Sequence, residues 1–478
     1  MTDTDTLKNR KPWQLRLGER KVLLVFGDLI MAILALQISL YWWDQSMRFI
    51  DLTLEFMQKQ GYLWFYFLPV IWLILLLDLY DLQKAISWQK TIRGIFFSGL
   101  LGLALYAIIY VYQVGSPETL LPRLGVVIFL AAACILTLLW RLFFIRIFTS
   151  AEFLRRFLLV GGGRSGQELL KVIHNIKPAP FIVEGIIDDD PQKRETRIQN
   201  VPVIGTCQDL IQIVRDKKIT DIIVAITSQM QGGMFDALLE AQERGVMISR
   251  MPVVYEELAG RVPIQLLETD WILRSFVDKA RLSGFSEIIK RLMDIAGGFV
   301  GTLFFVLLIP FIGLAIVLDD GRPIFYSQVR SGRGAQPYKI IKFRTMRRDA
   351  EADGRPKWAK EDDERATRVG KFLRKTHLDE LPQFWNVLRG DMSLVGPRAE
   401  RPELVDYFQQ YVPFYRARLL VRPGITGWAQ VNYGYASTVE ETTLKLEYDL
   451  YYILNRSIIL DLIIILRTPT TMFGFHGR

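Results

Sequence analysis

Five stretches of this sequence are apolar for long enough to enter a bilayer, and they constrain the fold before any other feature does. Four lie before residue 150, near Val22–Trp43, Tyr62–Leu79, Gly94–Tyr112 and Leu124–Phe148. Each has about 17 residues or more, enough for a helix that crosses the hydrocarbon. Trp42, Trp43, Tyr62, Trp64 and Tyr80 stand at their ends, where amphipathic rings favour the interface. Lys8, Arg10, Lys11, Arg16, Arg20 and Lys21 precede the first run. Lys84, Lys90 and Arg93 lie between the second and third, and Arg146, Arg155 and Arg156 follow the fourth. The other two connections carry few cations, which places both ends of a four-helix transmembrane bundle on the cytoplasmic side. No small-residue cleavage site follows the first run, which therefore reads as a retained anchor. Asp28 is an intramembrane acid, a functional candidate by default. Its place a couple of turns from Lys21 favours an interfacial or paired acid over an ion path.

The fifth run, "IAGGFVGTLFFVLLIPFIGLAIVL" (Ile295–Leu318), differs from the others. Lys290 and Arg291 precede it, while Arg322, Arg330, Arg333, Lys339 and Lys342 follow. A crossing would put one basic cluster outside, against the positive-inside bias. Pro310 divides the run into helical pieces of roughly 22 Å and roughly 14 Å, neither long enough for about 30 Å of hydrocarbon. A proline inside a helix removes a donor and clashes with the preceding turn. The run is therefore predicted to be a helix-break-helix that dips into the membrane and returns.

Composition narrows the chemistry. With 478 residues, a hydrophobic share of 50% and 11 Trp, the chain exceeds one domain and is too apolar for an ordinary soluble protein. Two cysteines, Cys134 and Cys207, give no disulfide framework, and three scattered histidines give no zinc-type cluster. Any metal would be an oxygen-liganded one. The net charge of +9 suits anionic headgroups or anionic substrates. Neither stacking aromatics nor a recognition helix argues for nucleic acid as a partner.

After Arg156 the pattern becomes that of an α/β domain. "RFLLVGGGRSGQELLKVI" reads as strand, glycine turn and helix, with Gly161, Gly163 and Gly166 in GxGxxG spacing. "FIVEGIIDDD" is the second strand, ending in Asp188 and Asp189, where such folds place a ribose-binding acid. A nucleotide site is one reading; a scaffold kept for packing or self-association is the other, and a lone glycine motif favours the scaffold. No Tyr-x-x-x-Lys pair follows that would supply the base of a dehydratase.

The richest stretch is "RKTHLDELPQFWNVLRGDMSLVGPR", Arg374 to Arg398. Leu381, Trp385 and Leu388 recur at helical spacing, and Gly390 is a natural stop. Pro382 is tolerable only in a first turn, so a helix is predicted from about Asp379, capped by Thr376 or Asp379. Asp379 and Glu380 then stand side by side at its start, bracketed by Lys342, Arg344, Arg398 and Arg401. A capping box would explain the acids. So would phosphate chemistry, in which one carboxylate attacks phosphorus while the other binds a hard cation or positions a group. Guanidinium forks match phosphate oxygens. The stretch alone leaves both open.

"KIIKFRTM" (Lys339–Met346), "KTHLDELPQFWNVLRGDMSLVGPR" (Lys375–Arg398) and "RPGITGWAQV" (Arg422–Val431) together resemble the bacterial sugar transferases, the monotopic polyprenyl-phosphate glycosyl-1-phosphate transferases. "KRLMDI" (Lys290–Ile295) and "EYDLYYILNRSIILDLIIILRT" fit the same pattern, over about Ser286 to Arg478. With the preceding spans and the Rossmann-like domain, the chain resembles the large undecaprenyl-phosphate glucose/galactose phosphotransferase subgroup. That resemblance implies transfer of hexose-1-phosphate from a UDP-sugar, UDP-glucose or UDP-galactose, to undecaprenyl phosphate with release of UMP. It further implies Asp379 as the nucleophile of a covalent phosphosugar intermediate and Glu380 as its helper at a magnesium ion that both acids touch. Lys342, Arg344, Arg398 and Arg401 become phosphate-binding candidates. Lys290, Arg291 and Asp294 match the motif at the start of the re-entrant helix, where Arg291 and Asp294 are spaced to pair. The family's break is commonly Ser-Pro, here Ile309-Pro310, and His377 stands where Ser is common. The implied setting is a bacterial inner membrane, with the catalytic domain on its cytoplasmic face, feeding downstream glycosyltransferases, with a homodimer as the expected assembly.

The sequence thus predicts a membrane-α plus α/β protein: a cytosolic tail (1–20), a four-span bundle (21–150), a Rossmann-like domain (151–255), a linker (256–285) and a mostly α catalytic domain (286–478) whose re-entrant helix covers 288–318. The C-terminal "SIILDLIIILRTPTTMFGF" carries Asp461 and Arg467 and reads as an interfacial or packed helix rather than a span. A membrane-anchored nucleotide-sugar dehydratase or epimerase using NAD, and a non-enzymatic export scaffold, are the competing classes.

Overall fold

A computed structural model describes residues 17–47, 66–113, 123–148, 150, 153–176, 179, 181–226, 230, 232–266, 284–347, 365–434 and 438–472. The chain forms two compact units, Met1–Leu258 and Ala259–Arg478.

In the first unit, three long helices, α1 (Leu17–Met47), α3 (Trp88–Gln113) and α4 (Arg123–Phe148), are apolar enough to cross a membrane. Their outward side chains, Phe26, Phe96, Ile108, Ile135 and Phe143 among them, are exposed and apolar, as a lipid-facing surface requires. The second apolar run is described only in part. Within the described residues it forms only α2 (Leu68–Leu75), of 8 residues, followed by a 3-10 turn at Leu77–Tyr80. Pro69 lacks a backbone donor and sits in the first turn of α2, the place a helix tolerates it, while the start of the expected span, 62–65, lies outside the described residues. Trp72 of α2 donates to Thr137 Oγ1 at 3.0 Å, and Ser98 donates to Leu75 O at 2.9 Å, which ties the short helix to α4 and α3. Asp28 is paired: Arg141 Nη2 lies 2.6 Å from its Oδ2, and both side chains are wholly buried. Arg141 also donates to Leu79 O at 2.9 Å. A charge enclosed this way is a structural tie between helices.

The α/β part follows as β1 (Arg156–Val160), α5 (Arg164–Asn175), β2 (Ile182–Ile187), β3 (Arg197–Ile198), β4 (Val201–Gly205), α6 (Leu210–Asp216), β5 (Asp221–Val224), α7 (Gly232–Glu243), β6 (Met247–Arg250) and α8 (Met251–Ala259). The strands form one sheet in the order β3-β4-β2-β1-β5-β6, parallel except for the β3–β4 pair. The near-continuous apolar run of β1 suits a strand covered on both faces. The strand order reverses at β1, the place where such sheets open a crevice. Gly161, at φ +99°, turns the chain directly after β1. A Cβ on Gly166 would lie 2.2 Å from Gly161 O, so helix and turn approach as only glycine allows.

The first long helix of the second unit is α9 (Gly284–Asp320), of 37 residues and also long and apolar enough to span. The predicted break at Pro310 is absent: the helix runs on through the proline. Phe305, Leu308 and Ile309 before it, and Ile312 and Ile316 after it, pack with Phe343 and Leu373. That packing on both sides holds the helix against the loss of one backbone bond. A hairpin of β7 (Phe325–Ser331) and β8 (Pro337–Phe343) follows. Then come α10 (Arg368–Lys375), α11 (Gln383–Arg389), β9 (Ser393–Val395), α12 (Pro402–Tyr411), β10 (Gly424–Thr426), α13 (Trp428–Asn432), α14 (Val439–Leu454) and α15 (Ile458–Met472). β9 and β10 pair in parallel. The core gathers Val395, Phe408, Tyr415, Trp428, Leu450 and Ile464 from these elements. α15 has 15 residues and buries Asp461 and Arg467, so it is a packed helix.

Candidate active site

The paired acids do not open an α-helix. Thr376 ends α10, its hydroxyl bonded back to Phe372 O at 2.9 Å, and His377 adopts a left-handed conformation. Leu378–Glu380 form a single 3-10 turn, and α11 starts only at Gln383, with Pro382 as its cap. Neither turn has a side-chain cap hydrogen bond. The reading in which these carboxylates finish a helix therefore has no bond to rest on, and Thr376 and Asp379 are not the caps the sequence led us to expect.

Two supports fix the turn. Asn386 of α11, wholly buried, accepts from Ile341 N at 3.2 Å and donates to Lys339 O at 2.9 Å, binding α11 to β8. On the other side α11 lies directly on α9: a Cβ on Gly301 would come within 2.2 Å of the Phe384 ring. Arg291 donates to Val387 O at 2.9 Å and Leu388 O at 2.8 Å, which satisfies the open carbonyls at the end of α11. Asp294 accepts from Ser393 Oγ and Leu394 N, each at 2.9 Å. The expected Arg291–Asp294 pair is thus replaced by four bonds to the segment 387–394, because each side chain finds a backbone group in need of a partner. Lys290 pairs with Asp461 of α15 at 2.8 Å.

Lys342, on β8, donates to Glu380 Oε1 at 2.7 Å, and Arg398 donates to the same oxygen at 2.6 Å. Burial alone would raise the Glu380 pKa, but these two cations hold it well below the usual carboxylate range. Asp379 is also buried but has neither bond. Burial first, and then the charge of Glu380, push it up to about 6, against the opposing pull of Lys342, Arg398 and Arg374. Adjacent acids in environments that separate their proton affinities are the arrangement that divides catalytic labour. Burial lowers the His377 pKa, as do Arg398 and Lys342, while Glu380 opposes them. Among the described residues the Nδ1 of His377 has no hydrogen-bond partner.

The other candidates fall elsewhere. Arg344 donates to Asp320 O at 3.1 Å and Gly321 O at 2.5 Å, closing the C-terminus of α9. Arg401 is the N-cap residue of α12, near enough to Arg330 to disfavour the latter's charge. Pro310 lies inside α9. In the first unit Asp188 Oδ2 accepts from Gly162 N at 2.7 Å and from Lys193 at 3.0 Å. Gly161, Gly163 and Gly166 surround that turn, so the carboxylate expected for a ribose is bonded to its own glycine loop.

A second layer escaped the sequence reading. Arg418, 4% exposed, donates to Tyr415 Oη at 2.6 Å and to the backbone carbonyl of Arg398 at 3.0 Å, and pairs with Asp449 at 3.0 Å. Glu400, 3.5 Å from Arg418, pairs with Lys445 at 3.1 Å. This buried network holds the segment that carries Arg398. The only hint in the sequence is an arginine within the apolar "ARLLV".

Among the described residues no three His, Cys, Asp or Glu side chains form a metal cage. The dyad fits magnesium in a narrower sense. Asp379 keeps its lone pairs, and Glu380 Oε2 receives only a long 3.4 Å contact from Arg398. Such a site needs substrate phosphates and water to complete six ligands.

The family described as bacterial sugar transferase matches residues 285–474, and one described as CoA-binding domain matches 76–252. A protein of Aeromonas hydrophila named UDP-N-acetylgalactosamine-undecaprenyl-phosphate N-acetylgalactosaminephosphotransferase is 42% identical over 226 residues, 47% of this chain and 52% of the relative. Two proteins named UDP-glucose:undecaprenyl-phosphate glucose-1-phosphate transferase are also similar. That of Escherichia coli (strain K12) is 32% identical over 330 residues, 66% of this chain and 67% of the relative. That of Klebsiella pneumoniae is 34% identical over 331 residues, with the same shares of 66% and 67%. The chain therefore spans about half the length of the first of these relatives, 52%, and about two thirds of the other two.

Proposed function

The chain belongs to the bacterial sugar transferase family, and from that premise we propose that it moves a sugar-1-phosphate from a UDP-sugar to undecaprenyl phosphate, releasing UMP. The observation that carries the proposal is the split environment of the dyad: Glu380 held ionised by Lys342 and Arg398, Asp379 buried without a bond, its pKa pushed up to about 6 by burial and the charge of Glu380. An oxygen of ionised Asp379 attacks the phosphorus that bears the sugar. The bond from that phosphorus to the bridging oxygen breaks, UMP leaves with the electron pair, and an aspartyl phosphosugar remains. The terminal oxygen of undecaprenyl phosphate then attacks the same phosphorus and frees the carboxylate. Lys342 and Arg398 keep Glu380 from becoming a proton donor to its neighbour and add positive potential where the diphosphate must sit. Magnesium, held by Asp379 and Glu380, would supply further neutralisation of the diphosphate charge.

We also propose that α9, kinked at Pro310 without a break in the helix, dips into the cytoplasmic leaflet and returns to it. The same compact unit holds both of its ends, through Arg291 on α11 at one and through Asp319 Oδ2, which accepts from Val369 N at 2.8 Å, at the other. A helix crossing the bilayer would have to part those ends. The exposed stripe from Phe285 to Leu318, including Leu292, Phe299, Leu303, Leu307, Phe311 and Leu314, would face lipid. The first unit is a poorer candidate for the chemistry, since Asp188 is already engaged by Gly162 and Lys193.

Trapping tests the covalent step. Purified full-length protein incubated with UDP-sugars labelled in the sugar, without acceptor, should retain label through denaturation, and Asp379→Asn should not. Equal retention by the variant would remove Asp379 from the mechanism.

A further inference from the structure

Beside the first turns of α9 lies a small, half-open cavity that neither the dyad nor its two cations lines. Lys290, Arg291, Arg333, Arg422 and Arg456 face it, against the acids Glu287 and Asp294. Part of this charge is answered within the protein: Lys290 by Asp461, Arg291 by two carbonyls, Asp294 by Ser393 and Leu394. Arg333 meets Glu287 only at 3.4 Å, with both side chains largely in solvent. Arg422 has no side-chain hydrogen bond or ion pair among the described residues. Burial disfavours the charge on Arg456, and nearby Arg333 adds to this, while Tyr452 and Glu287 oppose it. The cavity thus favours an anion.

Size and surroundings say what kind. A volume of about 30 Å³ admits roughly two waters, the scale of the terminal oxygens of a phosphoryl group. Phe285, Ile288 and Leu292 of α9 and Ile459 of α15 are exposed close by in sequence, and Ile288 and Ile295 are one helical turn from Arg291. A charged head beside an apolar strip is complementary to an amphiphile. We propose that this cavity binds the phosphate of an anionic membrane lipid, whose tails lie along the exposed face of α9. The site rests on its own geometry and not on the reading of the transfer reaction.

A bilayer phosphodiester and a lipid phosphomonoester share this chemistry, and the test separates them. Full-length protein in neutral detergent is titrated with phosphatidylglycerol, dodecyl phosphate and phosphatidylcholine, with bound lipid read by native mass spectrometry. We expect one saturable site at least tenfold tighter for an anionic lipid than for phosphatidylcholine, weakened about tenfold by Arg422→Gln and by Arg333→Gln, and unchanged in Asp379→Asn. Preference for phosphatidylglycerol assigns the site to bilayer lipid; preference for dodecyl phosphate assigns it to a phosphomonoester. Arg333 is a surface residue, so its variant tests the site without risk to the fold. No preference over phosphatidylcholine, no effect of either arginine variant, or equal weakening by Asp379→Asn would overturn the proposal.

Discussion

At the scale of single residues the chain places two neighbouring carboxylates in opposite electrostatic settings. The folded pKa of Asp379 is raised to about 6, so its ionisation works against the fold. That penalty is absent below the unfolded-state value near 4, grows between the two and is complete above about 6. Asp379→Asn should therefore abolish transfer yet stabilise the fold at pH 8 by on the order of 2 kcal/mol, read as a higher Tm, with the advantage shrinking at pH 5. Equal Tm shifts at both pH values would contradict the assignment. The rate should rise with pH through about 6, since the attacking form is the carboxylate. Lys342→Met removes a cation that lowers the Asp379 pKa, so the acid limb of kcat/KM should move to higher pH, with kcat/KM down on the order of 10²-fold. An unmoved limb would separate Lys342 from that titration. The dyad and its surrounding cations were legible in the sequence, but their pairing was not. Lys342 reaches Glu380 while Arg344, two residues on, turns to the end of α9, and only the path of β8 decides which does which.

At the scale of elements the site depends on how α11 is held between β8 and α9. Gly301→Val would drive a side chain into the Phe384 ring and displace the turn that carries the acids. Overpacking of this kind costs about 1–3 kcal/mol, and we expect kcat to fall more than tenfold while helix content by circular dichroism is kept. Unchanged kcat would mean that the α9–α11 contact does not position the dyad. The buried Arg418 network supports Arg398 from behind, so Arg418→Lys should lower kcat about tenfold with little change in the KM for the UDP-sugar; a loss confined to Tm would make it purely structural. Two prolines show the limit of local reading. Both Pro69 and Pro310 interrupt apolar runs, yet one starts a short helix and the other sits inside a long one. The difference is tertiary: Pro310 is flanked by side chains packed on Phe343 and Leu373, which no local pattern announces. Strands β1 and β2 of the α/β part were readable as apolar runs bounded by turns, whereas the short β3 and β4 were not, and the order in the sheet depends on pairing across distant segments.

At the scale of the whole molecule the account requires a reaction between a water-soluble donor and a lipid acceptor, and so an active site at the membrane surface. If α9 returns to the side it came from, cysteines introduced at Ser286 and Arg322 should both react with an impermeant thiol reagent in inverted vesicles and neither in spheroplasts. Labelling of the two from opposite faces would contradict the re-entrant path. The central claim is tested most directly by UMP release from a panel of UDP-sugars, using detergent-purified protein with undecaprenyl phosphate and magnesium, beside Asp379→Asn. Turnover with a UDP-sugar, lost in the variant and on chelation, is the predicted result; folded wild-type protein that releases no UMP from any UDP-sugar would contradict it.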